Sequence, residues 1–115
     1  MSISFGGIGE YAATFHNSSS APAVAGKAVK ISGNGEVSAC SAGDNIAGVC
    51  ISAGAQFAAV QLRGFVKLPY SGAAPNLGYC RLSADSGGGV KTDSSGREYL
   101  VVEVDTSAKT AGMFL

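Results

Sequence analysis

Residues 58–70 read AAVQLRGFVKLPY, an alternation of apolar and polar side chains that runs through a central glycine. Successive side chains of a strand point to opposite faces. Val60, Leu62, Gly64, Val66 and Leu68 therefore share a core face, and Gln61, Arg63, Phe65 and Lys67 share the outward one. Gly64, which has no Cβ, marks a bulge or a corner where the chain bends between sheets. Pro69 ends the run, because it has no N–H to give to a ladder. The stretch predicts two strands jointed at Gly64. Arg63 and Lys67 fall on the outward face, toward solvent or a neighbouring subunit.

The same economy extends in both directions. AVKIS leads into the hairpin signal GNG, and EVSAC returns from it. SAGDN turns into IAGVCIS, and AGAQ turns into FAAVQL. Beyond Tyr70, SGAAPNLG is followed by YCRLSA, the turn DSGGG, a short VKT, the turn DSSG, EYLVVEV, DTSAKT and AGMFL. No apolar stripe of helical period runs for ten residues. Strands of about five to seven residues between closely spaced turns predict an all-β fold, a small β-barrel or sandwich of short strands.

The chain also echoes itself. NIAGVCISAGAQFAAVQL (45–62) aligns without a gap on EYLVVEVDTSAKTAGMFL (98–115). Val49 falls on Val102, Ile51 on Val104, Ala55 on Ala108, Ala58 on Ala111 and Leu62 on Leu115. The elements before them match in kind, GKAVKIS with GNGEV against LGYCRLS with GGGV. This predicts two related halves, about 26–62 and 78–115, within a single β domain spanning 23–115. Residues 1–22 differ from both. Phe5, Ile8, Tyr11 and Phe15 stand among glycines and are followed by the polar joint NSSSAP, the pattern of an N-terminal arm on another subunit or of an extra strand.

Eight basic and eight acidic residues cancel, and only 14% of the chain is charged. Phosphates call for a basic stripe, so nucleic acid is not the expected partner. An anionic membrane surface is disfavoured for the same reason. So little charge protects a surface poorly against association, which predicts that a neighbour covers part of it. MSISFGGIGEY has neither the basic nor the apolar region of a secretion signal, which predicts a protein that stays in the cytosol or assembles there. The Asn17 acceptor pattern carries no meaning without export.

Candidate chemistry is sparse. Cys40, Cys50 and Cys80 are widely spaced and far from the lone His16, so they read as small buried thiols, with no metal site. His16 is the only base available to a serine nucleophile, and it lies beside flexible residues. A Ser-Lys dyad could draw on Lys27, Lys30, Lys67, Lys91 or Lys109, each of which reads as a solvated strand or turn lysine. Glu103 and Asp105 share a face that Val102 and Val104 turn outward. A calcium site from these two with Asp85 or Asp93 lacks the dense loop spacing that the ion requires. GGIGEYAA lacks the Lys and Ser/Thr of a phosphate loop. No catalytic, cofactor-binding or metal residue is assigned.

The run AGKAVKIS…GEVSAC…AGDNIAGVCIS…AAVQLRGFVKLPY…LGYCRLSADSGGGVKT resembles small phage proteins of the capsid-decoration or head-fibre type. Val60, Gly64, Val66, Leu68 and Pro69 match that family's V-x-G-x-V-x-LP pattern, and the resemblance covers roughly residues 25–105. The glycine-rich aromatic N-terminus has no place in the pattern. The resemblance implies a β-barrel-like structural virion protein without enzymatic activity. It would form homotrimers bound to the major capsid protein on the outer capsid surface and be assembled in the host cytoplasm. Phe5, Ile8, Tyr11 and Phe15 are then the first candidates for subunit or capsid contact, and Phe65 and Tyr70 the second. The rival readings are a self-assembling tube or filament subunit and a small carrier or ligand-binding β domain. A carrier lysine would sit at an exposed turn tip, whereas Lys67 lies within a strand run.

Overall fold

A computed structural model describes residues 9–115. Ten strands follow one another: β1 (Tyr11–Asn17), β2 (Ala28–Gly33), β3 (Glu36–Ala39), β4 (Gly48–Ala53), β5 (Phe57–Arg63), β6 (Phe65–Pro69), β7 (Gly78–Ala84), β8 (Val90–Thr92), β9 (Arg97–Asp105) and β10 (Thr110–Phe114). The described residues hold no helix. The expected all-β fold is the one observed.

β1-β3-β2-β4-β5 close into a barrel, and β6-β10-β9-β7-β8 form a second five-stranded sheet. Starting each from its third strand, the two orders are the same: β3-β2-β4-β5-β1 and β8-β7-β9-β10-β6. The offset of the sequence echo, 53 residues (Asn45 against Glu98), also carries the pairing register from one half to the other. Phe15–Ala58 becomes Leu68–Ala111, and Ala13–Val60 becomes Val66–Met113. Val29–Ala39 becomes Leu82–Thr92, and Ile31–Val37 becomes Ala84–Val90. Even the closure repeats: the parallel pair Asn17–Val37 becomes the parallel bridge Tyr70–Val90. At these paired positions a side chain points the same way in both halves, which is why a set of inward residues recurs.

The recurrence fails at two pairings: Ala28–Val49 of β2 and β4 would become Arg81–Val102, but Arg81 pairs with Glu98, and the β4–β5 and β9–β10 hairpins differ. The extra residue of a β-bulge falls at Ile51 in β4 but at Val102 in β9. The alternation slips there, so Val101, not Val102, is fully buried, and Ile51 is exposed. The sequence expectation that Val102 and Val104 both face inward is thus half right: Val104 packs against the core and Val102 is the bulged residue.

The first barrel encloses Ala23, Val29, Val37, Cys50, Ala58 and Val60, with Phe15 and Leu62 against them. The second sheet contributes Val66, Leu68, Leu82, Val90, Val101 and Met113 to a larger cluster. Ala28, Ile46 and Val49 from the outside of the first barrel join that cluster and weld the halves together. Tyr99 donates its hydroxyl to the Ile46 carbonyl at 3.3 Å across the joint. Each fully buried Leu or Val here contributes about 1.5–3 kcal/mol.

The corner predicted at Gly64 is where β5 of the barrel passes into β6 of the second sheet. Gly64 has φ 102°, a conformation that a side chain strains, and a Cβ there would stand 3.0 Å from Glu10 Cα. Gln61, expected to face outward, is buried: its Nε2 donates to the carbonyls of Arg63 and Phe65, at 3.0 and 3.1 Å. It bridges the two sides of the corner, a role that alternation does not reveal.

The second half's turns are built on aspartates. Asp85 Oδ1 accepts the N–H groups of Gly87 and Gly89, Asp93 Oδ1 that of Ser95, and Asp105 Oδ1 those of Ser107 and Ala108. A carboxylate that accepts turn N–H groups satisfies donors the ladder leaves unpaired.

Candidate interaction surface

On the outer face of the second sheet, the register lines up a row across four strands. Tyr79 of β7 stands opposite Leu100 of β9, Leu100 opposite Phe114 of β10, and Phe114 opposite Phe65 of β6. Residues directly opposite share a face and touch. Tyr79 is 73% exposed, and the other three are half-buried. The Phe65 and Phe114 rings meet edge to face with centroids 5.7 Å apart. Leu77, two residues before Tyr79, is 68% exposed.

The adjoining row is polar. Gly112 lies between Lys67 and Glu103, and these two side chains meet at 3.3 Å across it. A Cβ at Gly112 would come within 2.6 Å of Glu103 Cγ and 2.7 Å of the Phe65 ring. The bare backbone therefore leaves room for the Phe65 ring over the strand. Next to it, Lys67, Glu103, Val104, Asp105, Thr106 and Thr110 line a groove of about 340 Å³.

The first barrel carries no such row. The register places Ala12, Gln61, Val49 and Ala28 on the corresponding face, and of these Gln61, Val49 and Ala28 are buried, the last two in the cluster that the halves share. The face that the joint largely covers in the first half is left open in the second. Large apolar side chains are exposed in both halves, Tyr11, Val24, Ile31, Ile51 and Phe57 in the first and Leu77 and Tyr79 in the second; the row is distinguished by the direct pairing of its members across four strands.

The contact candidates from the sequence separate on the structure. Phe5 and Ile8 lie outside the described residues. Tyr11 is 64% exposed at the start of β1, opposite Arg63. Phe15 points into the first barrel as the counterpart of Leu68, so it is part of a core and is not available for contact. Tyr11 and Phe15 both belong to a strand that closes the barrel, which makes 11–17 the extra strand of the two alternatives. Tyr70, only 7% exposed, lies in the second core and bridges Val90, a correction to its reading as a contact residue. Phe65 remains on the surface. Tyr79, Leu100, Phe114 and Leu77 were missed; the alternation of YCRLS and EYLVV placed Tyr79 and Leu100 opposite their buried neighbours, but pairing them needed the register.

Several of the groups weighed for catalysis have structural partners. His16 stacks edge-on against Phe57, with centroids 6.4 Å apart. Burial, followed by the Asp44 carboxylate, pushes the Cys40 thiol up to about 11, leaving it a weak nucleophile at neutral pH. Asp44 accepts from Lys30 at 2.9 Å and from the Ser41 N–H at 2.7 Å, which holds its carboxyl low and raises Lys30. Among the described residues no cluster of three or more His, Cys, Asp or Glu is arranged to hold a metal ion. Neither a family model nor a curated protein matches this chain.

Proposed function

We propose that this chain is a structural virion protein, a capsid decoration protein that works as a homotrimer on the outer surface of a phage capsid. The observation that carries the reading is the row Phe65–Phe114–Leu100–Tyr79, apolar side chains paired directly across four strands on the outer face of the second sheet. The resemblance of residues 25–105 to decoration and head-fibre proteins supports it independently. In such a particle each subunit bridges neighbours of the major capsid protein. Contacts of modest strength then multiply over many copies, since linked sites bind with far greater avidity than one site alone. The outer row and the groove beside it supply an apolar anchor with a charged rim, Lys67 and Glu103, the anatomy of an effective interface.

The test is co-sedimentation with capsids assembled from a phage major capsid protein. The wild-type chain pellets saturably, and a Tyr79→Ser, Leu100→Ser variant loses tenfold or more in affinity, about 1.4 kcal/mol for each factor of ten. A folded wild-type chain that stays in the supernatant at all concentrations sinks the reading. Light scattering adds a second check: a discrete trimer fits decoration, and open-ended polymers favour a filament subunit.

A further inference from the structure

The sequence GNG at 33–35 marks a hairpin, and its tip holds a second property that the fold leaves intact. An asparagine followed by glycine is the pair most prone to lose its side-chain amide, because no side chain on the next residue hinders ring closure. Asparagine is among the thermolabile residues for this reason. Asn34 and Gly35 are both exposed between β2 and β3, and no heavy atom lies within 4 Å of where a Gly35 Cβ would be. Among the described residues no hydrogen bond engages the Asn34 carboxamide.

The chain offers a second susceptible pair, Asn17–Ser18, and the fold disarms it. Asn17 is buried, its Nδ2 donates to the Gly54 carbonyl at 2.9 Å, and its Oδ1 accepts the Ala23 N–H at 2.8 Å. Asn45 and Asn76 are exposed but are followed by Ile46 and Leu77, whose bulk hinders the ring. One site out of four remains.

We propose that Asn34 is a spontaneous deamidation site whose conversion loosens the first barrel at its seam. The Gly35 backbone nitrogen gives its proton to a solvent base and attacks Asn34 Cγ. The new C–N bond closes a five-membered imide as the Cγ–Nδ2 bond breaks, and Nδ2 leaves as ammonia after taking a proton from water. Water then opens the imide at either carbonyl, giving aspartate or isoaspartate. Isoaspartate adds one carbon to the backbone immediately before Gly35. The Gly35 carbonyl accepts the His16 N–H at 2.8 Å, one of the bonds that closes the barrel between β1 and β3. A lengthened backbone at that point displaces this acceptor.

The full chain is incubated at mildly alkaline pH and sampled over days, with a urea-unfolded aliquot in parallel, and each asparagine peptide is mapped by mass and isoaspartate content. Asn34 is expected to lose its amide, with isoaspartate as a product, while Asn17 keeps its amide in the folded chain and loses it in urea. In the converted fraction the His16 amide exchanges hydrogen faster. Retention of Asn34 in the folded chain while the unfolded aliquot converts overturns the proposal, as does conversion of folded Asn17 at the rate of Asn34. Conversion with unchanged exchange at His16 overturns the seam's part in it.

Discussion

His16 and Pro69 occupy the same place in the two halves, opposite Phe57 and Thr110 respectively, and differ by one hydrogen-bond donor. The His16 N–H donates to the Gly35 carbonyl at 2.8 Å, whereas Pro69 has no N–H to donate, and the carbonyl of Gly88, the residue equivalent to Gly35, accepts the Ala28 N–H at 2.9 Å. The next bond of the seam is kept in both: Ser18 donates to Val37 and Ser71 to Val90, each at 3.0 Å. One missing donor leaves β6 and β8 joined by a single bridge, while β1 and β3 form a ladder.

Pro69→Ala restores the donor. The new amide at 69 is expected to use the second lone pair of the Gly88 carbonyl, which already accepts the Ala28 N–H, and so to be protected in hydrogen exchange. Net stability changes by less than about 1 kcal/mol, because a bond of about that worth is offset by the extra freedom of the unfolded chain. Exchange at the rate of an unprotected amide would show that the two seams are not equivalent.

Gln61→Leu removes the bridge across the corner with little change in volume. The Arg63 and Phe65 carbonyls lose their side-chain donor in a partly buried place, at a cost of about 1–3 kcal/mol. The urea midpoint should fall accordingly with an unchanged slope. A midpoint equal to that of the wild-type chain excludes the bridging role.

Lys109 is the only non-glycine residue with positive φ, 56°, among the described residues. A side chain in that conformation costs roughly 1–2 kcal/mol. Lys109→Gly relieves it while adding freedom to the unfolded chain, which leaves about 0.5 kcal/mol of gain. A rise of about 2–4 °C in thermal midpoint is expected for a domain of this size. A fall would mean that the lysine side chain, not the backbone, matters at this turn.

Acid should destabilise the fold through two aspartates. Asp44 is held low by the Lys30 ammonium and the Ser41 N–H, and Asp93 by the Ser95 N–H and the Ser83 hydroxyl. Both contributions are present above the unfolded carboxylate value, about 3.9, and are lost as pH falls through the lower folded values. Lys30 is raised, so its share is complete below about 10.5 and is lost only above that. Circular dichroism melts between pH 7 and pH 2 should show the midpoint dropping in the most acidic range. The drop should be shallower in Asp44→Asn, Asp93→Asn. Parallel curves for the two proteins would remove these carboxylates from the account.

The sequence by itself determined the strands, the turns and the doubling. Alternation in AAVQLRGFVKLPY is a local property of the pleat, Gly64 and Pro69 act on their own backbone, and the echo of 45–62 in 98–115 needs no neighbours to be seen. Only the tertiary structure decided which residues those strands bring together. A bulge at Ile51 in one half and Val102 in the other shifts the phase of a strand, and alternation has no means of placing an inserted residue. Tyr70 looked like a surface aromatic until the seam closed over it, and Gln61 like a surface amide until the corner folded around it. The outer row from Tyr79 to Phe65 joins four strands drawn from residues 65–114. Its members become neighbours only through the ladder register, which is set by contacts distant in the chain.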